Sequence, residues 1–380
     1  MQTESNAARN IAAANMTDNE ARADLRIRPG TVEDANDLAE LFCITYGQTT
    51  HPCQSPDFIR NGIASNNELW FVAEADSSIE GSIGGCLCVA RHSWNRTWET
   101  CYAIIHPRLR SSLSGLIYRL VRTGHENLRP EPWELGFYTP RTPAAHRVMS
   151  KTNAPVLVGH DGGPNLVDGL REYHMMAIHR PTVAGFSHVS PLNGPVGRSP
   201  FIQQHLYAPL ALQPTPGAYP SVCFTGSPGA EKDSLFRYSH DQAASAITLS
   251  EYVGSGTTEW EICADLEAFA ARDRTIAYMG AYILADKVEL IRKMLETGFV
   301  ITAYLPAWHL HRNSRYDCVM LVKRSFSKIP EKRGFDADIE ALDRAYVQLA
   351  AEFCQPNNPS SARDLARRTP FAFQDAESII

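Results

Sequence analysis

Residues 98–120, WETCYAIIHPRLRSSLSGLIYRL, constrain the fold more than any other stretch of this chain. The run 98–105 is rich in aromatic and β-branched residues and reads as a strand. Pro107 ends it, because proline has no amide hydrogen to give a ladder. A basic, serine-rich turn follows. From there Leu113, Leu116, Ile117, Leu120 and Val121 fall on one helical face. The chain passes from a strand, through a tight polar turn, into a helix whose first amides face the turn. Unpaired amides with the helix dipole behind them form a seat for a phosphate group. Arg108 and Arg110 place positive charge beside that seat, and Arg119 and Arg122 follow along the helix. An ordinary strand–helix connection with a solvated basic rim has the same pattern, so spacing alone leaves both readings open.

A chain of 380 residues is long for one domain and comfortable for two. The hydrophobic and charged fractions, 44% and 21%, are those of a globular protein. A net charge of −6 gives no general electrostatic reason to expect nucleic acid, and none is expected as a partner. The nine cysteines form no Cys-x-x-Cys pair, and several sit in apolar, strand-like runs. That usage points to buried reduced thiols rather than a disulfide framework or a zinc site, so no metal is expected. No window is long and apolar enough to span a bilayer, and the N-terminus has no secretory pattern. The expectation is a cytoplasmic protein without a membrane partner.

Along the chain, residues 1–24 read as a flexible arm. Residues 25–29 form a short strand closed by Pro29. Thr31 and Asp34 then stand in capping-box spacing before a helix that buries Ala35, Leu38, Ala39 and Phe42. A second short helix begins near Phe58. Residues 69–73 and 79–90 predict a hairpin turning near 76–78, its second strand thinned by Gly81, Gly84 and Gly85. After the stretch 98–120 come a strand over 133–138, a helix over 143–151, a strand over 156–160 and a last strand over 173–178. Residues 181–219 read as a linker with one helix, around 201–212. The second half predicts a strand at 259–263, a helix at 266–272, a strand at 275–279, a helix at 286–297 closed by Gly298, and a hairpin over 299–305 and 317–322. A basic stretch then leads to an amphipathic helix over 339–353 and a polar tail.

Residues 98–120 resemble the acyl-CoA-binding segment of the GCN5-related N-acetyltransferase (GNAT) superfamily. In that family a strand ends in His-Pro, and an Arg/Gln-x-x-Gly-x-Gly/Ala turn cradles the cofactor's pyrophosphate. Here the matching run is Arg110-Ser111-Ser112-Leu113-Ser114-Gly115; Arg110 and Gly115 fit, and Leu113 stands where the first glycine would be. The element order over 25–180 is also that of the family. The resemblance implies the acyl-CoA N-acyltransferase (GNAT) fold, an α/β (α+β) architecture with a mixed central sheet flanked by helices. It implies acetyl-CoA or another acyl-CoA as co-substrate, held by Ile105, His106, Arg110, Ser111, Ser112, Leu113, Ser114 and Gly115. The run 290–299 is similar to the family's helix that ends in Gly-Phe, which suggests two tandem domains. They would be a cofactor-bearing domain at 25–180 and a degenerate one at 220–326, with a C-terminal helix and tail at 327–380. A mixed α/β domain of unrelated origin remains the alternative for the second half.

In an acyl transfer the amine loses a proton as it attacks the thioester, and the departing thiolate is stabilised or protonated. Glu99, an acid in an otherwise apolar strand, is the first candidate for the base, and Glu134 is the second. Many relatives take their acid from a tyrosine before Gly-Phe, where this chain has Met149 and Met294. Tyr138 or His146 is the replacement the sequence offers. His309 and His311 lie two apart on one strand, without a third ligand at a matching offset. Gly254-Ser255-Gly256 reads as lacking the following helix of a dinucleotide site. The chemistry so assembled is transfer of an acyl group to a small-molecule amine or amino-acid-like acceptor, possible as a homodimer. A non-catalytic acyl-CoA or small-ligand binder is one rival. A transferase taking its donor from tRNA or a carrier protein is the other.

Overall fold

The structure, a computed structural model, describes residues 25–47, 51–75, 82–110, 115–131, 134–167, 169–181, 187–191, 195–273, 275–326 and 328–355. The expected arm at 1–24, the hairpin turn at 76–78, Ser111, Ser112, Leu113 and Ser114 of the cofactor turn, Trp133, and the tail beyond Gln355 lie outside the described residues. The chain is a mixed α/β protein built in two compact units. The first takes Met1–Arg91, Trp98–Pro130 and Arg147–Thr152, and the second takes His92–Thr97, Glu131–His146 and Asn153–Ile380.

In the first unit four strands lie in the order β1 (Ile27–Pro29), β2 (Glu68–Glu74), β3 (Ile83–His92) and β4 (Thr97–Ile105). β1 and β2 are antiparallel, as are β2 and β3, with Phe71 opposite Leu87. Helix α1 (Ala35–Tyr46) starts behind the Thr31–Asp34 capping box and buries Ala35, Leu38, Ala39, Leu41 and Phe42, the face its spacing predicts. Arg28 ties the corner together: its guanidinium meets both Asp34 oxygens at 2.7 and 2.8 Å and Glu74 at 2.8 Å. That contact, above all, holds the Asp34 carboxyl below its ordinary range. Helix α2 (Pro56–Ala64) is capped by Ser55, and helix α3 (Leu116–Asn127) buries Leu116, Leu120, Val121 and Gly124. Two glycines are explained by close approach. A Cβ on Gly85 would sit 3.1 Å from the Ile104 carbonyl, and one on Gly124 would sit 2.7 Å from Leu87.

Buried histidines make stability depend on pH. Burial lowers His125 from 6.5 to about 4, with its Nε2 3.0 Å from Thr100 Oγ1 and Trp98 against its ring. His309, in the second unit, is likewise lowered to about 4. The unfolded chain takes up these protons below its ordinary value near 6.5, while the folded chain refuses them until about 4. Stability is therefore full above that window and falls as pH drops through it. The urea midpoint is expected to fall between pH 7 and pH 5, with a shallower fall in His125→Gln.

The second unit holds β5 (Leu135–Tyr138), β6 (Val156–His160), β7 (Asn165–Val167), β8 (Leu170–Glu172), β9 (Met175–Ile178), β10 (His188–Pro191), β11 (Thr215–Gly217), β12 (Phe224–Thr225), β13 (Glu231–Lys232), β14 (Phe236–Asp241), β15 (Ala246–Tyr252), β16 (Tyr278–Leu284), β17 (Val300–His311) and β18 (Ser314–Arg324). The main order is β5-β9-β6-β17-β18-β16-β15-β14-β13, with β10 beside β18, β12 beside β16, and β7–β8 a separate hairpin. Helix α4 (Pro143–Asn153) begins within this unit. Helices α5 (Glu259–Arg272), α6 (Val288–Glu296) and α7 (Asp336–Phe353) belong to it entirely.

Several expectations are corrected here. Residues 259–263 are not a strand but the start of α5. Thr258 and Glu261 cap each other reciprocally, and Ile262, Cys263, Leu266 and Phe269 are buried at helical spacing. A helix therefore does follow Gly254-Ser255-Gly256. The strand expected at 275–279 begins at Tyr278 and runs on to Leu284. The helix near 201–212 is a π-helix over Ile202–Tyr207, and the glycine-rich loop after His160 carries the β7–β8 hairpin. The domain expected at 25–180 is also divided differently, since most of 131–180 clusters with the second unit. Partners distant in sequence explain that. Glu172, fully buried, is clamped by Arg141 and Arg333, His160 Nε2 meets Asp343 at 2.9 Å, and Tyr173 N donates to Glu331 O.

A polar knot lies in the β17–β18 hairpin. After Pro306, Ala307 takes a left-handed φ of 56° and the register slips between Leu305 and His309. The bulge turns the Ala307 amide onto Asp317 (2.8 Å), and Asp317 also accepts from His188, Tyr207 and Tyr304. Arg315, fully buried, fans its guanidinium over the carbonyls of Ala307, Trp308, Asn95 and Arg96. Burial pulls it down to about 9.

Candidate active site

The candidate site of the first unit is built along β4. Trp98 and Thr100 are buried, while Glu99, Cys101 and Tyr102 are half-buried. Tyr102 sits in mid-strand with φ 51°, a conformation that costs energy in any residue but glycine. The break turns its ring into a nest. Trp70 stacks on it at 5.6 Å, and Phe42, His51 and Phe58 meet it edge-on. Its carbonyl accepts from the Cys86 thiol at 3.5 Å. Burial, more than any neighbour, raises the Tyr102 hydroxyl, so it stays protonated across the neutral range.

Two carboxylates approach this strand. Glu99 is on β4 itself. Glu68, on β2, accepts from Trp70 Nε1 at 2.9 Å and fills the space that Gly62 of α2 leaves, where a Cβ would lie 2.2 Å from its Oε2. Both act on the Cys101 thiol, which burial raises first and these carboxylates raise further. The cysteines are all free, Cys53, Cys86 and Cys88 likewise raised by burial. Among the described residues no group of three or more His, Cys, Asp or Glu is placed to hold a metal ion. His309 and His311 stack at 6.5 Å, with His309 Nδ1 2.9 Å from Thr225 Oγ1.

Past Ile105 the strand stops. His106 is buried, its amide donating to Gly84 O at 2.9 Å and its Nδ1 accepting from Arg108 N at 3.3 Å. Its ring thus caps the 3-10 turn Pro107–Leu109. Arg108 and Arg110 are exposed, and Arg110 Nε reaches back to the Ile105 carbonyl at 3.4 Å. Gly115 opens α3 with free space where a Cβ would stand, and no side chain among the described residues caps the first amides of that helix. Arg119 donates to the Leu25 carbonyl and Arg122 pairs with Glu126.

A strand-to-helix step of the second unit, β15 through Gly256 into α5, is closed. Gly256 N donates to the Tyr252 hydroxyl at 2.7 Å, and the amides of Thr257 and Thr258 donate to Glu261 at 2.8 and 2.9 Å. A carboxylate of the chain already occupies the place a phosphate would take.

Glu134 and Tyr138 belong to the second unit and Glu99 to the first. Glu134 precedes β5 instead of lying in a strand, is buried, and accepts from the Glu131 amide at 3.1 Å. Tyr138 is buried, with its hydroxyl 2.8 Å from His146 Nδ1. Met149 and Met294 are both buried. Sequence reasoning missed Tyr102 and Glu68. A tyrosine in a β-rich run looks like any strand residue, and nothing in the residue type announces a left-handed backbone.

No family model matches this chain, and no curated protein does. Solved structures do. A diaminobutyrate acetyltransferase from Paenibacillus lautus, in complex with its substrate and coenzyme A, is similar over 42% of this chain and 96% of its own, at 19% identity and a TM-score of 0.33. A ribosomal-protein-S5-alanine acetyltransferase from Vibrio fischeri covers 41% of this chain and 92% of its own, at 15% identity and a TM-score of 0.31. An acetyltransferase of the GNAT family from Streptococcus pneumoniae covers 40% and 98%, at 17% identity and a TM-score of 0.32. The likeness is one of chain course over two-fifths of the molecule. What the site does has to come from its own residues.

Proposed function

We propose that the first unit is an acyl-CoA-dependent N-acyltransferase, with acetyl-CoA as its donor and a small amine or amino-acid-like molecule as its acceptor. The observation that carries this reading is the pairing of a helix start that no described side chain caps, preceded by Arg108 and Arg110, with a strand broken at Tyr102 beside Glu99. A diphosphate fits the first feature: helix amides and guanidinium groups together neutralise it. His106 builds the turn, and Ile105 and Arg110 fix its entry. Ser111, Ser112, Leu113, Ser114 and Gly115 complete the proposed cradle.

In the transfer, the acceptor attacks as the neutral amine, its first proton already lost to solvent: the nitrogen lone pair forms the bond to the thioester carbon, and Glu99 takes the N–H proton that the new amide sheds. The C–S bond then breaks, and the departing thiolate accepts a hydrogen bond from the protonated hydroxyl of Tyr102, on the same strand, and takes up its proton from solvent. The donor molecule supplies the activated acyl group; the chain orients and moves protons.

Binding is the first test. A ligand that binds only the folded state at 100 times its Kd adds about 2.7 kcal/mol of stability. Acetyl-CoA, coenzyme A and longer acyl-CoAs are expected to raise the thermal midpoint, and Arg110→Glu is expected to abolish the rise. Unchanged midpoints with every CoA ester would remove this reading.

A further inference from the structure

The second unit holds a cavity that the transfer chemistry leaves unused. β15 and β16 run parallel and pair from Ala246 opposite Tyr278 to Leu249 opposite Ala281. Beyond that point β16 pairs with β12 instead, Thr225 opposite Tyr282 and Phe224 opposite Ile283. Where the strands part lies a cavity of about 430 Å³ lined by Ser221, Cys223, Phe224, Tyr252, Glu259 and Lys287 among others. That volume is within the range of small-molecule sites. The carboxyl ends of diverging parallel strands are also where open α/β sheets receive ligands.

Its chemistry turns anions away. Both helix starts at its rim are already filled by carboxylates: Glu261 on the amides of Thr257 and Thr258, and Glu259 on the Leu290 amide of α6 at 2.8 Å. Lys287 donates to Asp286 Oδ2 at 2.8 Å and to the Pro220 carbonyl at 3.0 Å. Arg237 pairs with Glu251 at 3.1 Å, and Asp265 accepts from the Tyr252 hydroxyl. Of the charged groups that line the cavity, two are carboxylates, Glu251 and Glu259, and one is a cation, Lys287, which is already engaged; Glu261, Asp265 and Asp286 stand behind that lining. Asp286 Oδ1 is a buried acceptor that receives no hydrogen bond from the described residues. The rings of Phe224 and Tyr252 add faces that attract ammonium groups.

We propose that this crevice is a second ligand site, one that takes a small primary amine as its ammonium ion and rejects phosphates. The inference does not rest on the acyl-CoA reading, and its test keeps the two apart. Isothermal titration of 1,4-diaminobutane into the full chain carrying Arg110→Glu, which lacks the donor site, is expected to show saturable binding. Glu259→Gln keeps an oxygen for the Leu290 amide but loses the charge, and is expected to weaken binding about tenfold or more. Ser221→Arg, which adds a cation at the cavity wall, is expected to abolish it. Inorganic phosphate is expected not to bind the crevice. No saturable binding of the amine, an affinity that neither variant changes, or phosphate binding lost in Ser221→Arg would overturn the proposal.

Discussion

Glu99→Gln is expected to bind acetyl-CoA as tightly as the parent chain and to acylate amines about 10²–10⁴-fold more slowly. Glutamine keeps the shape of the side chain on β4 and removes only its capacity to accept a proton. The proposed donor seat, past Ile105 at the end of the strand, does not include this side chain. The thermal rise with acetyl-CoA should therefore persist while single-turnover acylation collapses. Normal turnover in Glu99→Gln would move the base elsewhere, and Glu68, which shares the Cys101 thiol as neighbour, is the next carboxylate to test.

Asp317→Ala is expected to cost about 3–5 kcal/mol of stability, the range for breaking a buried ion pair from one side. The substitution leaves the His188 Nε2, the Tyr207 and Tyr304 hydroxyls and the Ala307 amide facing an apolar gap. Burial alone would raise the Asp317 carboxyl; His188, Tyr207 and the Ala307 amide together outweigh it and hold the group below its ordinary range. A carboxyl lowered in the folded state contributes stability that is full above its unfolded value near 3.8 and is lost as pH falls through its folded one. Denaturant unfolding at neutral pH should show the whole loss in Asp317→Ala and a smaller one in Asp317→Asn, which keeps an acceptor oxygen. A loss under about 1 kcal/mol would mean that the bulge at Ala307 stands without this knot.

The readable parts of the fold are those in which a residue's partner is three or four positions away, or two. The Thr31–Asp34 box, the α1 face from Ala35 to Phe42, the α3 face from Leu116 to Val121 and the Gly298 stop after α6 all follow from local spacing. The start of α5 misled because Trp260 and Ile262 alternate over five residues as a strand would. The Thr258–Glu261 box was the better signal, and its side-chain bonds outweigh so short an alternation. In the candidate site the turn after β4 was legible from His106-Pro107 and its arginines. The broken backbone at Tyr102 was not, since strain of that kind is imposed by surrounding rings and strands rather than chosen by a tyrosine.

By itself the sequence determined a strand that must stop at Pro107, a helical face read from Leu113 onward, and a basic turn between them. Tertiary structure alone decided the left-handed backbone at Tyr102, whose ring is held by Trp70, Phe42 and Phe58 from other elements. It also decided that Glu134 and Tyr138 pack within the second unit, because burial partners such as His146, chosen by packing, set where a polar side chain ends. Local propensity acts through neighbours in the chain. A site is made by residues that meet only after the chain has folded, and their meeting leaves no period in the sequence to read.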